Sequence, residues 1–281
     1  MKIINNKINE IVDMLKKLVI GRYSIALAGA HAKGTADEAS DIDIYLFVDE
    51  TKSYQERLDI VKKIADVNRP IYVSKQFDEA PWGGSIDFYY HGTPIEVVVR
   101  TFSHIEKRLH ECTLGIFEII PAAWTSNGYY TFIYLSELSF IVPLDDSTNF
   151  IAYCKEQVKD YPLLLKKAII KRFYSRSNIW LNNFHYKSAI QRMDVLFTTP
   201  IVLHTVLDMI QVIYALNDKY YMGDKKIQQS LETLNYCPNI LIENLQFLLS
   251  TGYNVDYLNK QHEILCVIRD NLKNEMNKVM D

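Results

Sequence analysis

The stretch AGAHAKGTADEASDIDIYLFVDE, residues 28–50, decides how the chain is read. A turn of small residues leads into two aspartates, Asp41 and Asp43, one residue apart, and a mainly apolar run follows at once. Side chains alternate between the two faces of a strand. Ile42, Ile44, Leu46 and Val48 therefore share one face, a core face, while Asp41, Asp43 and Tyr45 share the other. Two carboxylates held side by side repel and raise each other's pKa. A hard divalent cation relieves that repulsion and keeps coordination sites for phosphate oxygens. The plain alternative is a pair of solvated residues at a sheet edge.

A second stretch, SIDFYYHGTPIEVVVR, residues 85–100, reads as a hairpin: two β-rich runs flank His91-Gly92-Thr93-Pro94. With the turn at Gly92-Thr93, Tyr90 pairs with Ile95 and Tyr89 with Glu96. Ile86, Phe88, Tyr90, Ile95, Val97 and Val99 then form an apolar face, and Asp87, Tyr89, His91 and Glu96 a polar one. Glu96 is a lone carboxylate in a strand of Val and Ile, where charge is costly without a partner or a task. Beside Asp41 and Asp43 it would complete the acid set of two-metal phosphoryl chemistry, in which ions roughly 3.5–4 Å apart clamp attacking and leaving oxygens. Asp87 competes for that third position. Glu96, deeper in its apolar run, is preferred.

Outward from these strands the chain changes character once. Ile4, Ile8, Ile11, Val12, Leu15 and Leu18 recur at helical spacing, and Gly21 is read as the end of that opening helix. Short strands are expected at 24–27, 42–48 and 70–74, with a helix at 54–67. After Pro143-Leu144-Asp145-Asp146 helical spacing dominates, at 151–158, 163–184, 201–216, 227–234 and 255–279. The expectation is an α+β protein: a mixed sheet with flanking helices over residues 1–144, then an all-α helical bundle over 145–281.

Bulk properties narrow the function. The net charge of -3 over 281 residues excludes a molecule that binds nucleic acid by its overall charge. Cys112, Cys154, Cys237 and Cys266 lie too far apart for a zinc site or a disulfide framework and read as reduced core thiols. The amphipathic N-terminus lacks the apolar run of a signal peptide. No segment reads as a bilayer span, and a cytoplasmic protein with no membrane partner is expected.

A short strand, a Gly-containing turn, then SDID and an apolar strand resembles the nucleotidyltransferase superfamily of the DNA polymerase beta type. A mixed N-terminal domain followed by a helical one is similar to the aminoglycoside and lincosamide nucleotidyltransferases. The resemblance is sharp over residues 28–48, fair to Arg100 and architectural beyond. It implies that Asp41 and Asp43 hold magnesium and that Glu96 completes the metal site or serves as base. It also implies nucleotide contacts from Gly29, Ala30, His31, Lys33 and Ser40, and a phosphate-binding lysine from an interhelical loop. ALNDKYYMGDKKI, residues 215–227, offers Lys219, Lys225 and Lys226, with the last two preferred; the plain alternative is a solvated turn.

One departure from the family stands out. The turn usually reads Gly-Ser, and here it reads Gly29-Ala30-His31, without the hydroxyl. His31 is either a substitute phosphate donor or a surface histidine. The implied activity is magnesium-dependent transfer of a nucleoside monophosphate, from ATP before other triphosphates, to a hydroxyl of a small molecule. For a cationic antibiotic acceptor, Asp87, Glu96 and acids such as Asp194 would line the cleft. The competing expectations are a protein- or RNA-modifying enzyme of toxin–antitoxin type and a degenerate member that binds nucleotide without turnover. Oligomeric state is left open.

Overall fold

The computed structural model describes residues 2–37, 40–77 and 80–279. The chain forms two compact units, residues 1–112 with 117–160, and residues 113–116 with 161–281.

The first unit opens with α1 (Lys2–Lys16), β1 (Val19–Leu27), α2 (Gly29–Lys33), β2 (Ile42–Thr51) and α3 (Tyr54–Val61). It continues with β3 (Tyr72–Val73), β4 (Gly84–Tyr90), β5 (Thr93–Thr101), α4 (Phe102–Thr113), β6 (Ile119–Ala122) and β7 (Thr125–Tyr130). It closes with α5 (Ile133–Phe140), β8 (Val142–Asp145) and α6 (Phe150–Gln157). Six strands form one mixed sheet in the order β3-β4-β5-β2-β1-β8, and β6 and β7 pair separately. Only β2 and β5 run parallel within the larger sheet; its other pairs are antiparallel.

The expected core face is the observed one. Ile42, Ile44, Leu46 and Val48 are buried with Ile86, Phe88, Val97 and Val99 against Ile11 and Leu15 of α1 and Leu18 just after it. Each such side chain contributes about 1.5–3 kcal/mol relative to exposure. Behind the sheet, the Phe47 ring lies 5.4 Å from Phe150, which lies 4.6 Å from Phe102. The central strands are thus covered on both faces, and that is why DIDIYLFV reads as a nearly continuous apolar run rather than a strict alternation.

Two local expectations are corrected, and one strand is found that the sequence reading did not name. Gly21 does not end α1, which stops at Lys16; it lies inside β1, at φ +84, where the pairing with β2 shifts register between Ile20 and Tyr23. The hairpin turn is His91-Gly92, with both residues at positive φ, +47 and +75, the signature of a two-residue type I′ connection. Asp66 fixes it by accepting from the His91 and Gly92 amides at 2.8 and 2.7 Å. Tyr90 therefore pairs with Thr93 and Asp87 with Glu96. The slip from the expected register is two residues, so both faces keep their residues while every cross-strand partner changes. Pro143-Leu144-Asp145 belongs to β8, an edge strand beside β1, where proline's missing N–H is tolerated.

The change in sequence character falls at residue 144, but the compact division falls at 160/161. Two contacts draw α6 into the first unit. Phe150 enters the aromatic cluster with Phe47 and Phe102, and Asp146 accepts from Ser24 Oγ (2.8 Å) and from the amides of Ile151 and Ala152 (3.1 and 3.0 Å).

The second unit is helical: α7 (Leu163–Asn182), α8 (Phe184–Gln191), α9 (Val195–Leu216), α10 (Ile227–Leu231), α11 (Asn239–Leu249) and α12 (Val255–Val279). Contrary to the sequence expectation, α9 is long and apolar enough to cross a bilayer. Within this unit it behaves as a core helix: Val206, Met209, Ile210 and Ile213 are buried, and its buried Asp208 pairs with Arg176 of α7.

Candidate active site

The acids converge because β2 and β5 pair in parallel with Asp43 opposite Glu96. Register partners share a face, so the two carboxylates become neighbours although 52 residues of chain separate them. Asp41 joins from two residues upstream. Asp41, Asp43 and Glu96 each offer a carboxylate oxygen, all within 4.8 Å of one another. Asp43 is half-buried, and solvent reaches all three.

The turn before β2 is built around this cluster. The Ala28 amide donates to the Asp43 carbonyl at 2.8 Å, tying the start of α2 to β2. Gly29 has φ +57, and a Cβ there would stand 1.5 Å from Asp43 Oδ2 and 2.3 Å from its Cγ. Only glycine fits, both for its left-handed backbone and for the space Asp43 takes. The backbone of the turn is therefore pressed against a metal-binding type of carboxylate, with no side chain in between.

Asp87 flanks the cluster on the next strand, opposite Glu96. Burial, and then the neighbouring Glu96 charge, push its pKa up to about 6. Its Oδ1 is buried and accepts no hydrogen bond. Asp87, Glu96 and Asp43 thus stand in one row across β4, β5 and β2. This row, a consequence of the corrected hairpin register, is absent from the sequence reading, where Tyr89 faced Glu96.

The other expected residues lie as follows. Ala30, His31 and Lys33 are in α2. Lys33 Nζ sits 4.2 Å from the Phe140 ring centre, and burial lowers its pKa against the attraction of Glu137 and Asp43. Ser40 Oγ is engaged locally, donating to Asp37 Oδ1 at 2.9 Å. In the helical unit Lys225 and Lys226 precede α10, and Lys226 holds a left-handed backbone at φ +58 as its N-cap. Asp194 caps α9 by accepting from the Phe197 amide at 3.3 Å. Gly29 approaches Asp43 closely, and Lys33 interacts with the Asp43 charge.

Sequence reasoning missed a buried cation on the same sheet face. Arg100 is 1% exposed, its guanidinium lies between the Tyr45 and Tyr134 rings at 4.6 and 4.5 Å, and Glu137 pairs with it at 2.8 Å. An arginine ending the run VVVR reads as a strand leaving the core, and nothing local announces that α5 covers it.

Against known proteins, residues 7–77 match the family model of the nucleotidyltransferase domain. That segment is similar to a nucleotidyltransferase domain. The matched segment contains the Gly29 turn and both aspartates and stops short of Glu96, so the third acid reaches the site through tertiary pairing. The chain is similar to a nucleotidyltransferase-like protein of Exiguobacterium sibiricum 255-15, with 7% identity, a TM-score of 0.46, and coverage of 90% of this chain and 69% of that one. No curated protein matches the chain. Beyond the matched segment, β4 and β5 complete the sheet and supply Asp87 and Glu96.

Proposed function

We propose that this chain transfers a nucleoside monophosphate, from ATP before other triphosphates, to a hydroxyl group of a small molecule, with an aminoglycoside or lincosamide antibiotic as the acceptor class. The observation that carries the reading is the meeting of Asp41, Asp43 and Glu96 within 4.8 Å beside a turn that only glycine can form. Three carboxylates at that spacing suit a hard divalent cation such as magnesium, with Asp41, Asp43 and Glu96 as its ligands. The cation, when bound there, supplies charge to offset that of the triphosphate.

The chain's own residues do the rest. Gly29 leaves the backbone bare where phosphate oxygens approach Asp43. Lys33 and His31 offer donors in place of the hydroxyl that Ala30 lacks. Glu96, or Asp87 beside it, accepts the proton of the acceptor hydroxyl; Glu96 is on the strand next to Asp43, and Asp87 is one strand further out. The row of acids also favours a cationic acceptor.

The test is incubation with magnesium, each radiolabelled triphosphate and a panel of hydroxylated antibiotics, read as pyrophosphate release, with Asp43→Asn as control. Release that vanishes in the variant supports the reading; release that persists refutes the roles given to the acids. Ala30 favours a second reading, nucleotide binding without turnover. Stabilisation by ATP and magnesium with no pyrophosphate from any acceptor would select it.

A further inference from the structure

The first unit also contains a cavity of about 590 Å³ to which none of Asp41, Asp43 and Glu96 contributes. It lies at the far end of β5. Arg100 is four residues beyond Glu96, about 13 Å along the strand. The walls are of two kinds. Phe77, Pro81, Ile120 and Pro121 supply apolar surface, and Arg100 and Arg108 supply positive charge. No carboxylate stands among the described lining residues.

Arg100 is the informative member. It is 1% exposed, Nε donates to the Trp82 carbonyl at 2.6 Å, and Nη1 faces Glu137 at 2.8 Å. Tyr45 and Tyr134 cover its two faces. Nη2 is buried with no acceptor. Arg108, one turn of α4 beyond His104, pairs with Glu111 at 2.9 Å through Nη1, while its Nε is buried with no acceptor. Burial first, and then the charges of Arg108 and Arg100, lower the His104 pKa to about 4, so this lining residue is neutral near pH 7. A buried donor without an acceptor is destabilising. Both guanidinium groups belong to residues that line one cavity, in a fold that satisfies most of its buried polar groups.

We propose that this cavity binds a small organic oxyanion, a carboxylate or phosphate monoester on a flat apolar body. Guanidinium edges match the planar oxygen pair of a carboxylate and the oxygens of a phosphate alike. The volume lies in the range of small-molecule sites, which combine apolar walls with a few converging polar groups. Four apolar and two arginine lining residues set the polarity of the ligand: anionic head toward Arg100 and Arg108, body against Phe77, Pro81, Ile120 and Pro121.

The site is independent of the proposed transfer reaction and can be tested without it. The full-length protein, isotopically labelled and held in EDTA to keep divalent metal from the acids, is titrated with benzoate, phenyl phosphate and benzylamine and followed by NMR. Benzoate or phenyl phosphate should saturate with a Kd of roughly 1 mM or tighter, shifting the amides of Thr101, His104 and Ile120, with benzylamine inert. The stronger of the two anions identifies the head group. Arg108→Gln should weaken binding at least about tenfold, and Ile120→Glu, which sets a carboxylate on the apolar wall, should weaken it with both arginines intact. Asp43→Asn should bind as the wild type does. The proposal is overturned if neither anion saturates, if benzylamine binds as well, if the shifts map to Asp43 and Glu96, or if folded Arg108→Gln and Ile120→Glu bind like the wild type.

Discussion

Gly29→Ala offers the sharpest test of how the site is built. The substitution adds one methyl group, and two penalties follow. The first is conformational: φ is +57, and an alanine held in the left-handed region costs about 1–2 kcal/mol. The second is steric: the new Cβ would lie 1.5 Å from Asp43 Oδ2, where contacts under 3.0 Å essentially never occur. The carboxylate must retreat by about 1.5 Å, or the turn must lift from β2 and lose the 2.8 Å bond from Ala28 to the Asp43 carbonyl. A site of this kind tolerates displacements of only about 0.5 Å. Manganese affinity should therefore fall about 10- to 100-fold, and turnover by about 100-fold. Gly34 isolates the steric part. It has φ +70 in the same connection, and a methyl group added there would meet nothing within 4 Å, so Gly34→Ala carries the conformational penalty alone. Calorimetric titration with manganese, and thermal unfolding in EDTA, compare the two variants with wild type. If Gly29→Ala binds manganese as tightly as wild type and loses no more stability than Gly34→Ala, the turn is not packed against the metal acids and the reasoning fails.

Three further outcomes are expected. Asp43→Asn should stabilise the metal-free protein by about 1 kcal/mol, by removing one charge from three carboxylates within 4.8 Å, and should abolish stabilisation by manganese; thermal unfolding with and without the ion measures both. The folded-state pKa of Asp87, about 6, exceeds the usual 3.8, so the folded protein holds that proton more tightly than the unfolded chain does. Its contribution is most favourable below about pH 4 and is lost as pH rises to about 6, an effect of about 1–2 kcal/mol after solvent screening, and Asp87→Asn should flatten that slope in urea unfolding from pH 4 to 7. Glu137→Gln leaves the buried Arg100 charge without its partner and should cost about 3 kcal/mol in urea unfolding, whereas a loss below that of an ordinary surface substitution would show that the tyrosine rings suffice.

Some of this was legible in the sequence because it depends only on period. Strand parity fixes which residues share a face whatever the strand pairs with, so Asp41 and Asp43 separated from Ile42 and Ile44, and Glu96 from Ile95 and Val97, before any partner was known. The amphipathic spacing of α1 and the helical spacing after residue 144 are local in the same sense. Gly29 was recognisable as a turn glycine from its neighbours.

Partnership between distant strands carries no such local mark. Asp43 meets Glu96 because β2 and β5 pair in parallel across more than fifty residues, and the strands' own patterns would fit several registers equally well. The hairpin shows how narrow that margin is. A type I′ turn at His91-Gly92, held by Asp66 from outside the hairpin, moves every partner by two residues without changing either face, and so sets Asp87 rather than Tyr89 against Glu96. Arg100 is the extreme case. Its charge argues for the surface, and only Tyr45, Tyr134 and Glu137, brought from β2 and α5, supply the aromatic faces and the opposite charge that let a guanidinium remain inside. The sequence determined which chemistry each face carries; the tertiary pairing decided which of those groups meet, because that choice rests on contacts between segments whose local patterns do not refer to one another.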